Sequence, residues 1–340
     1  MGEGQRQPGN AADPAALQRL DLQPEIDGQR LGLSLWLPAD GLGETLFFCL
    51  PGGHMTRGYF DLRTSDNDSH SFARAMAARG FAVAAMDHPG IGDSDDGGDV
   101  YRHTPETLAD AAAAACQWLC ESLRAGTLAE DVAPLPGLRS IGLGHSMGAM
   151  ITALAQQRHG LHAGVVVLGF STRGLPEYVP EAVQPLLADR ETLKSQRVEL
   201  ARAMFASMGE GSGRDGGDND IYGRDGAEAD GIRALAGCRA RLLPVPAFCS
   251  MLPDNIGPEV AQIDVPVFIG LGSRDMAGPP HQVPAAFSGS SDVTLQVLPE
   301  TGHSHFLFPS RAGLFRRLAH WAALAAARET TPQHGDQQAS

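Results

Sequence analysis

The feature that most limits what this chain can fold into is an alternation. Short, nearly continuous apolar runs rich in β-formers trade places with alanine-rich amphipathic stretches. The runs cover residues 45–50 (TLFFCL), 81–86 (FAVAAM), 140–144 (SIGLG), 164–168 (GVVVL), 265–271 (VPVFIGL) and 293–298 (VTLQVL). Strands apolar at almost every position are buried on both faces, which is the condition of a parallel sheet covered by helices. The covering helices are expected at 71–79, 105–125, 147–158 and 311–328, with Thr104 as N-cap before Pro105 in the second. Residues 30–37 differ: Leu31, Leu33, Leu35 and Leu37 recur with period two, so this segment reads as an early antiparallel edge strand.

The alternation breaks once, between residues 171 and 262, where apolar helical pieces surround a Gly/Asp-rich stretch at 209–231. This interval reads as an inserted cap. The stretch is rich in carboxylates but lacks the ligand order of an EF-hand loop, so a solvated loop is preferred to a calcium site. The expected organisation is an unpacked tail over 1–20, a first core part over 21–170, the cap over 171–262, a second core part over 263–328 and a tail over 329–340.

A net charge of −14 repels phosphate backbones and anionic lipid, so neither nucleic acid nor a membrane surface is an expected partner. No run approaches the ~20 apolar residues of a spanning helix. The first residues lack a basic start followed by an apolar stretch, and the expected location is cytoplasmic. Cys49, Cys116, Cys120, Cys238 and Cys249 are odd in number and scattered without a CxxC pair, which favours reduced, buried thiols. Cys116 and Cys120 could share a helix face, but two ligands without further partners make a poor site, and no metal is expected.

Gly144-His145-Ser146-Met147-Gly148 matches G-x-S-x-G between an expected strand and an expected helix. Glycines on either side of Ser146 let the two backbones approach, so that its hydroxyl projects from a tight turn. With 41 glycines a chance match is easy, and it is the placement that gives this one weight. A serine hydroxyl attacks only if a histidine takes its proton and a carboxylate orients that histidine. Asp275, after the run 265–271, and His303, after 293–298, supply them in the chain order Ser, Asp, His. Among rival acids, Asp264 precedes its strand, Glu300 shares a loop with His303, and Asp254 belongs to the cap. His305 is the rival base. His303 is preferred because Gly302 before it allows a tight turn.

The oxyanion donors are expected to be the backbone amides of Met147 and of Gly53, in the loop Pro51-Gly52-Gly53-His54-Met55. His54, Tyr59, Phe205 and Phe248 are the candidate substrate-binding residues, although core packing explains any of them equally well. The cap offers further apolar walls from Met204, Met208, Leu242, Leu243 and Met251. Asp87 and His88, in the turn-rich DHPGIGDS, read as scaffold, and so does His145.

These residues resemble the α/β-hydrolase superfamily over about residues 31–326: LPGGHM its oxyanion loop, DHPGIGDSD the next post-strand loop, GHSMG the nucleophile elbow, GSRD the acid loop and TGHSHF the histidine loop. The sequence departs from the pattern in having Pro-Gly-Gly-His where many members show His-Gly. The resemblance implies an eight-stranded, mostly parallel sheet with its second strand antiparallel, flanked by helices, a mainly helical cap between the sixth and seventh strands, and chemistry without a cofactor. The expected activity is hydrolysis of a small-to-medium, largely apolar carboxylic ester. The alternatives are a C–C bond or thioester hydrolase with the same triad, or a non-catalytic ligand-binding member of the fold. The expected partner is a small ester-like molecule, and a homodimer is left open.

Overall fold

The computed structural model describes residues 17–95, 98–205 and 225–328. Eight strands form one sheet: β1 (Gln18–Leu22), β2 (Leu33–Leu37), β3 (Thr45–Leu50), β4 (Ala82–Met86), β5 (Arg139–His145), β6 (Gly164–Leu168), β7 (Val267–Gly272) and β8 (Val293–Leu298). Their order is β1-β2-β4-β3-β5-β6-β7-β8. Only β2 runs against its neighbours, being antiparallel to β1 and β4, while all other adjacent pairs from β4 to β8 are parallel. This is the α/β-hydrolase arrangement that the resemblance implies.

The near-continuous apolar runs have a direct cause. In β3, Leu46, Phe48 and Leu50 enter the core beneath α2 (Pro105–Ala125) and α3 (Met147–His159). Phe47 and Cys49 of the same strand enter a second core, beneath α1 (Phe72–Ala77) and α8 (Arg311–Ala327). Each fully buried Leu or Phe contributes roughly 1.5–3 kcal/mol relative to exposure, so two covered faces need apolar residues at both parities. The helix ends follow local chemistry. Ser71 accepts the Arg74 N–H at 3.1 Å, Thr104 and Thr107 cap one another reciprocally, and Gly126 ends α2 at φ 67°.

Two expectations at the N-terminal side need correction. Residues 33–37 are not an edge strand, because β1 lies outside them and all five are buried. The edge is β1, which begins at Gln18, inside the tail expected through residue 20; residues 1–16 lie outside the described residues. This strand is polar on one face and half-buried on the other. It is held by pairing from Gln18↔Leu37 to Leu22↔Leu33 and by Arg19 lying 5.3 Å over the Trp36 ring.

Between β6 and β7 run α4 (Arg190–Phe205), α5 (Ala229–Ala236), α6 (Pro244–Met251) and α7 (Gly257–Val260). Leu243, Val245 and Phe248 join the core beneath α2 and α3, and Arg197 pairs with Glu106 at 2.9 Å. Met208, most of the Gly/Asp-rich stretch and the tail 329–340 lie outside the described residues. Among the described residues, no helix is long and apolar enough to cross a membrane.

Candidate active site

The strand order reverses its winding between β3 and β5, so the loops leaving these two neighbours diverge and open a crevice at the C-terminal edge of the sheet. Ser146 stands there, directly after β5 and directly before α3. Its backbone is held at φ 55°, ψ −124°, a conformation that L-residues adopt only under constraint. The constraint is packing: a Cβ on Gly144 would overlap the Gly148 carbonyl and Ala149, and one on Gly148 would overlap the Leu50 and Pro51 carbonyls. Ser146 is half-buried, so the strained turn keeps its side chain in reach of solvent.

His303 and Ser146 border the same narrow cleft, together with Met147, Phe170, Ser171, Leu175, Ser250, Met276 and Ala277. The carboxylate behind His303 is Asp275, whose side chain is fully buried at the end of β7. His303 Nδ1–H donates to Asp275 Oδ1 at 2.8 Å, which leaves Nε2 as the nitrogen free for the cleft. The Ala277 N–H donates to the same oxygen at 3.0 Å. Burial pushes the Asp275 carboxyl up, but the adjacent His303 and His305 imidazoles outweigh it and hold it well below the ordinary carboxylate range.

The rivals separate by position. Asp264 is exposed ahead of β7, and Asp254 is exposed with its N–H bonded to the Thr172 carbonyl at 2.6 Å. Glu300 is 87% exposed and faces Arg274. His305 is fully buried and also touches Asp275, through Nε2 at 2.8 Å from Oδ2, and it does not border the cleft. The left-handed turn of this loop falls on Glu300 at φ 49°, not on Gly302.

The loop after β3 closes the other side. A Cβ on Gly52 would lie 3.1 Å from Ser146 Cβ, so this glycine permits the approach, while the Cβ position of Gly53 faces Leu242 at 3.1 Å. Met147 opens α3, and the N–H groups of a helix's first turn have no intrahelical partner. Three contacts fix the loop. The His88 ring donates to the Pro51 carbonyl at 2.9 Å, the His54 carbonyl accepts from Ala240 at 2.7 Å, and Thr56 donates to the Cys238 carbonyl at 2.8 Å. Burial lowers the basicity of both His54 and His88.

His145 is buried between Tyr59, with ring centroids 4.6 Å apart, and His303, at 4.8 Å. Its Nε2–H donates to the His303 carbonyl at 2.9 Å, and burial together with the neighbouring imidazoles holds its basicity well below that of free histidine. It steadies the histidine loop.

The candidate substrate-binding residues fare unevenly. Tyr59 is fully buried, stacked on His145 and on Phe306 at 5.0 Å, so it supports the site from behind and does not line it. Phe248 is buried in the core, and Phe205 packs half-buried against the same core; neither borders the Ser146 cleft. His54 is half-buried at φ 63° and also lies outside that cleft's lining. Neither proximity to a loop nor apolarity says which way a side chain faces. Phe170, Ser171 and Met276 were missed. They follow the ends of β6 and β7, where the sheet topology itself points to a ligand crevice. Ser250, on α6, carries no comparable signal.

Residues 47–317 match the family model described as the alpha/beta hydrolase family. A sequence comparison with curated proteins finds no match. Among solved structures, a highly thermostable carboxyl esterase from Bacillus coagulans is similar at 18% identity and TM-score 0.62, over 92% of this chain and 99% of that one. A thermophilic esterase from Thermogutta terrifontis is similar at 16% identity and TM-score 0.54, over 91% and 100%. A variant of N-formylmaleamic acid deformylase from Pseudomonas putida S16 is similar at 18% identity and TM-score 0.54, over 87% and 98%. Likeness at these identities speaks to the fold, which hosts many chemistries.

Proposed function

The chain belongs to the α/β-hydrolase family, and on that premise we propose that it is a serine hydrolase cleaving a small-to-medium, largely apolar carboxylic ester. The observation that carries this reading is the meeting of a strained, half-buried Ser146 and a carboxylate-bonded His303 on one cleft. Ser146 Oγ attacks the ester carbonyl as His303 Nε2 takes its proton. Asp275 holds the imidazole in the tautomer with Nδ1 protonated and stabilises the charge it gains. The amides of Met147 and Gly53 donate to the oxyanion, a service whose loss typically lowers the rate about 10²- to 10³-fold. His303 then protonates the leaving alcohol, and water resolves the acyl-enzyme by the reverse path.

Met147, Phe170, Leu175 and Met276 give the cleft an apolar lining suited to a short acyl chain. The helices inserted between β6 and β7 act as a cap, and residues 238–242 brace the oxyanion loop through the His54 and Thr56 contacts. The five cysteines, all free and buried, suit a cytoplasmic setting where thiols stay reduced.

The test is the intact mass after a fluorophosphonate probe, for the wild type and Ser146→Ala, followed by p-nitrophenyl esters of rising chain length. A single adduct absent from Ser146→Ala, with turnover greatest on short chains, is the expected result. Labelling that persists in the alanine variant would remove the nucleophile. A labelled protein silent on every ester would move the substrate to thioesters or C–C bonds.

A further inference from the structure

Asp275 is gripped by two imidazoles, and catalysis by the proposed route uses only one of them. Both its oxygens lie 2.8 Å from a histidine nitrogen: Oδ1 from His303 Nδ1 and Oδ2 from His305 Nε2. The two histidines stand two residues apart on a tight turn in which the His305 N–H donates to the His303 carbonyl at 3.0 Å. That carbonyl also accepts from His145 Nε2, so the turn presenting both rings is itself pinned from β5. The side chains of Asp275 and His305 are fully buried, and no water can replace a lost partner without opening the core.

We infer that His305 is a positioning residue for the proposed hydrolysis. It donates Nε2–H to Asp275 Oδ2 and so fixes the plane of the carboxylate that orients His303. The inference rests on the serine hydrolase reading and adds a member to its machinery. His305 cannot exchange roles with His303: its Nε2 is committed to Asp275, its Nδ1 is buried without a partner among the described residues, and its ring lies off the Ser146 cleft. It also cannot be replaced by shape alone. Removing its donor leaves Oδ2 of a buried, charged group unpaired, and a carboxylate held at one oxygen can turn about its own axis. Two further titratable groups of the described residues lie beside this cluster, His145 and Tyr59, with ring centroids of His145 and His305 5.8 Å apart and Tyr59 stacked on His145.

The experiment measures the rate at which a fluorophosphonate labels Ser146, which needs no knowledge of the natural substrate, in the wild type, His305→Phe, His305→Asn and His305→Gln. The amide nitrogen of Gln can stand where Nε2 stands, whereas Asn is polar but too short to reach Oδ2. Labelling should slow about 10- to 100-fold in His305→Phe and His305→Asn, by analogy with partners that orient metal ligands, and return to within about fivefold in His305→Gln. The far-downfield proton NMR resonance of the His303–Asp275 bond should weaken in the Phe and Asn variants and persist with Gln. Thermal melts of all four proteins separate misfolding from mispositioning. Wild-type labelling rates in the folded Phe or Asn variant would overturn the inference, and so would a Gln variant as slow as Phe with the resonance intact in both. A wild type that takes no label at Ser146 would overturn the hydrolase reading, and the role of His305 with it.

Discussion

Asp87 and Asp275 offer a controlled comparison. Each follows a parallel strand, β4 or β7, each has a fully buried side chain, and each accepts three hydrogen bonds. Asp87 accepts the Arg57 N–H at 2.7 Å, the Arg57 guanidinium, and the Asp93 N–H at 3.0 Å. Asp275 accepts from His303, His305 and the Ala277 N–H. Arginine keeps its proton at any pH a protein experiences, so the first cluster is a fixed ion pair that ties the loops after β3 and β4 together. An imidazole whose one nitrogen donates to a carboxylate still presents its other nitrogen as an acceptor, and in the proposed hydrolysis that is the part His303 plays in the second cluster. Two equally buried carboxylates thus differ in what they are for, and the difference lies in the partners.

Substitutions should split along that line. The largest effect is expected for Asp275→Asn, which removes the charge that orients His303 and should lower turnover about 10⁴-fold with the fold intact. Kinetics beside a thermal melt check it, and a loss under tenfold would break the comparison from the chemical side. Asp87→Asn should do the opposite. Leaving the Arg57 guanidinium without its buried partner should destabilise the fold by about 3 kcal/mol, with activity per folded molecule retained. Urea unfolding reads the stability, and active-site titration reads the activity.

His162 sharpens the comparison by showing a buried imidazole without a carboxylate. It is bonded to Ser140 Oγ at 2.9 Å, and burial pushes its basicity down to about 4. Because the unfolded chain binds that proton more readily, stability from this group is complete above pH ~6.5 and is lost as pH falls toward ~4, by about 3 kcal/mol. The difference in urea midpoint between pH 7 and pH 4 should therefore be smaller in His162→Gln than in the wild type. The smallest effect is expected for Gly52→Ala, whose new Cβ would sit 3.1 Å from both Ser146 Cβ and the His145 ring. A shift of a few tenths of an ångström at the elbow should slow acylation about tenfold. Stability should stay close to that of the wild type.

What the sequence disclosed follows the range of the interactions involved. The alternation of runs gave the parallel sheet because apolarity at both parities is a local consequence of two covered faces. The Ser146 elbow was legible because its glycines answer a local steric demand, and the chain order of Asp275 and His303 followed from it. β1 was hidden, since Leu20 and Leu22 are its only apolar residues and its strand character comes from pairing with β2. That β2 lies inside the sheet was hidden for a related reason. Its buried Ser34 is satisfied by Asp21 and Arg57, both distant in sequence, and no periodicity records them. The second grip on Asp275 is likewise a contact over thirty residues, visible only once the turn carrying His303 and His305 is folded.

The central claim is that His303, held by Asp275, makes Ser146 a nucleophile. The most direct measurement is peptide mapping of protein quenched in acid within milliseconds of mixing with p-nitrophenyl butyrate, for the wild type and His303→Ala. The expected result is one butyryl group on the peptide containing Ser146 in the wild type, and none on that timescale in the variant. An acyl group on another residue, or equal acylation of Ser146 without His303, would contradict it.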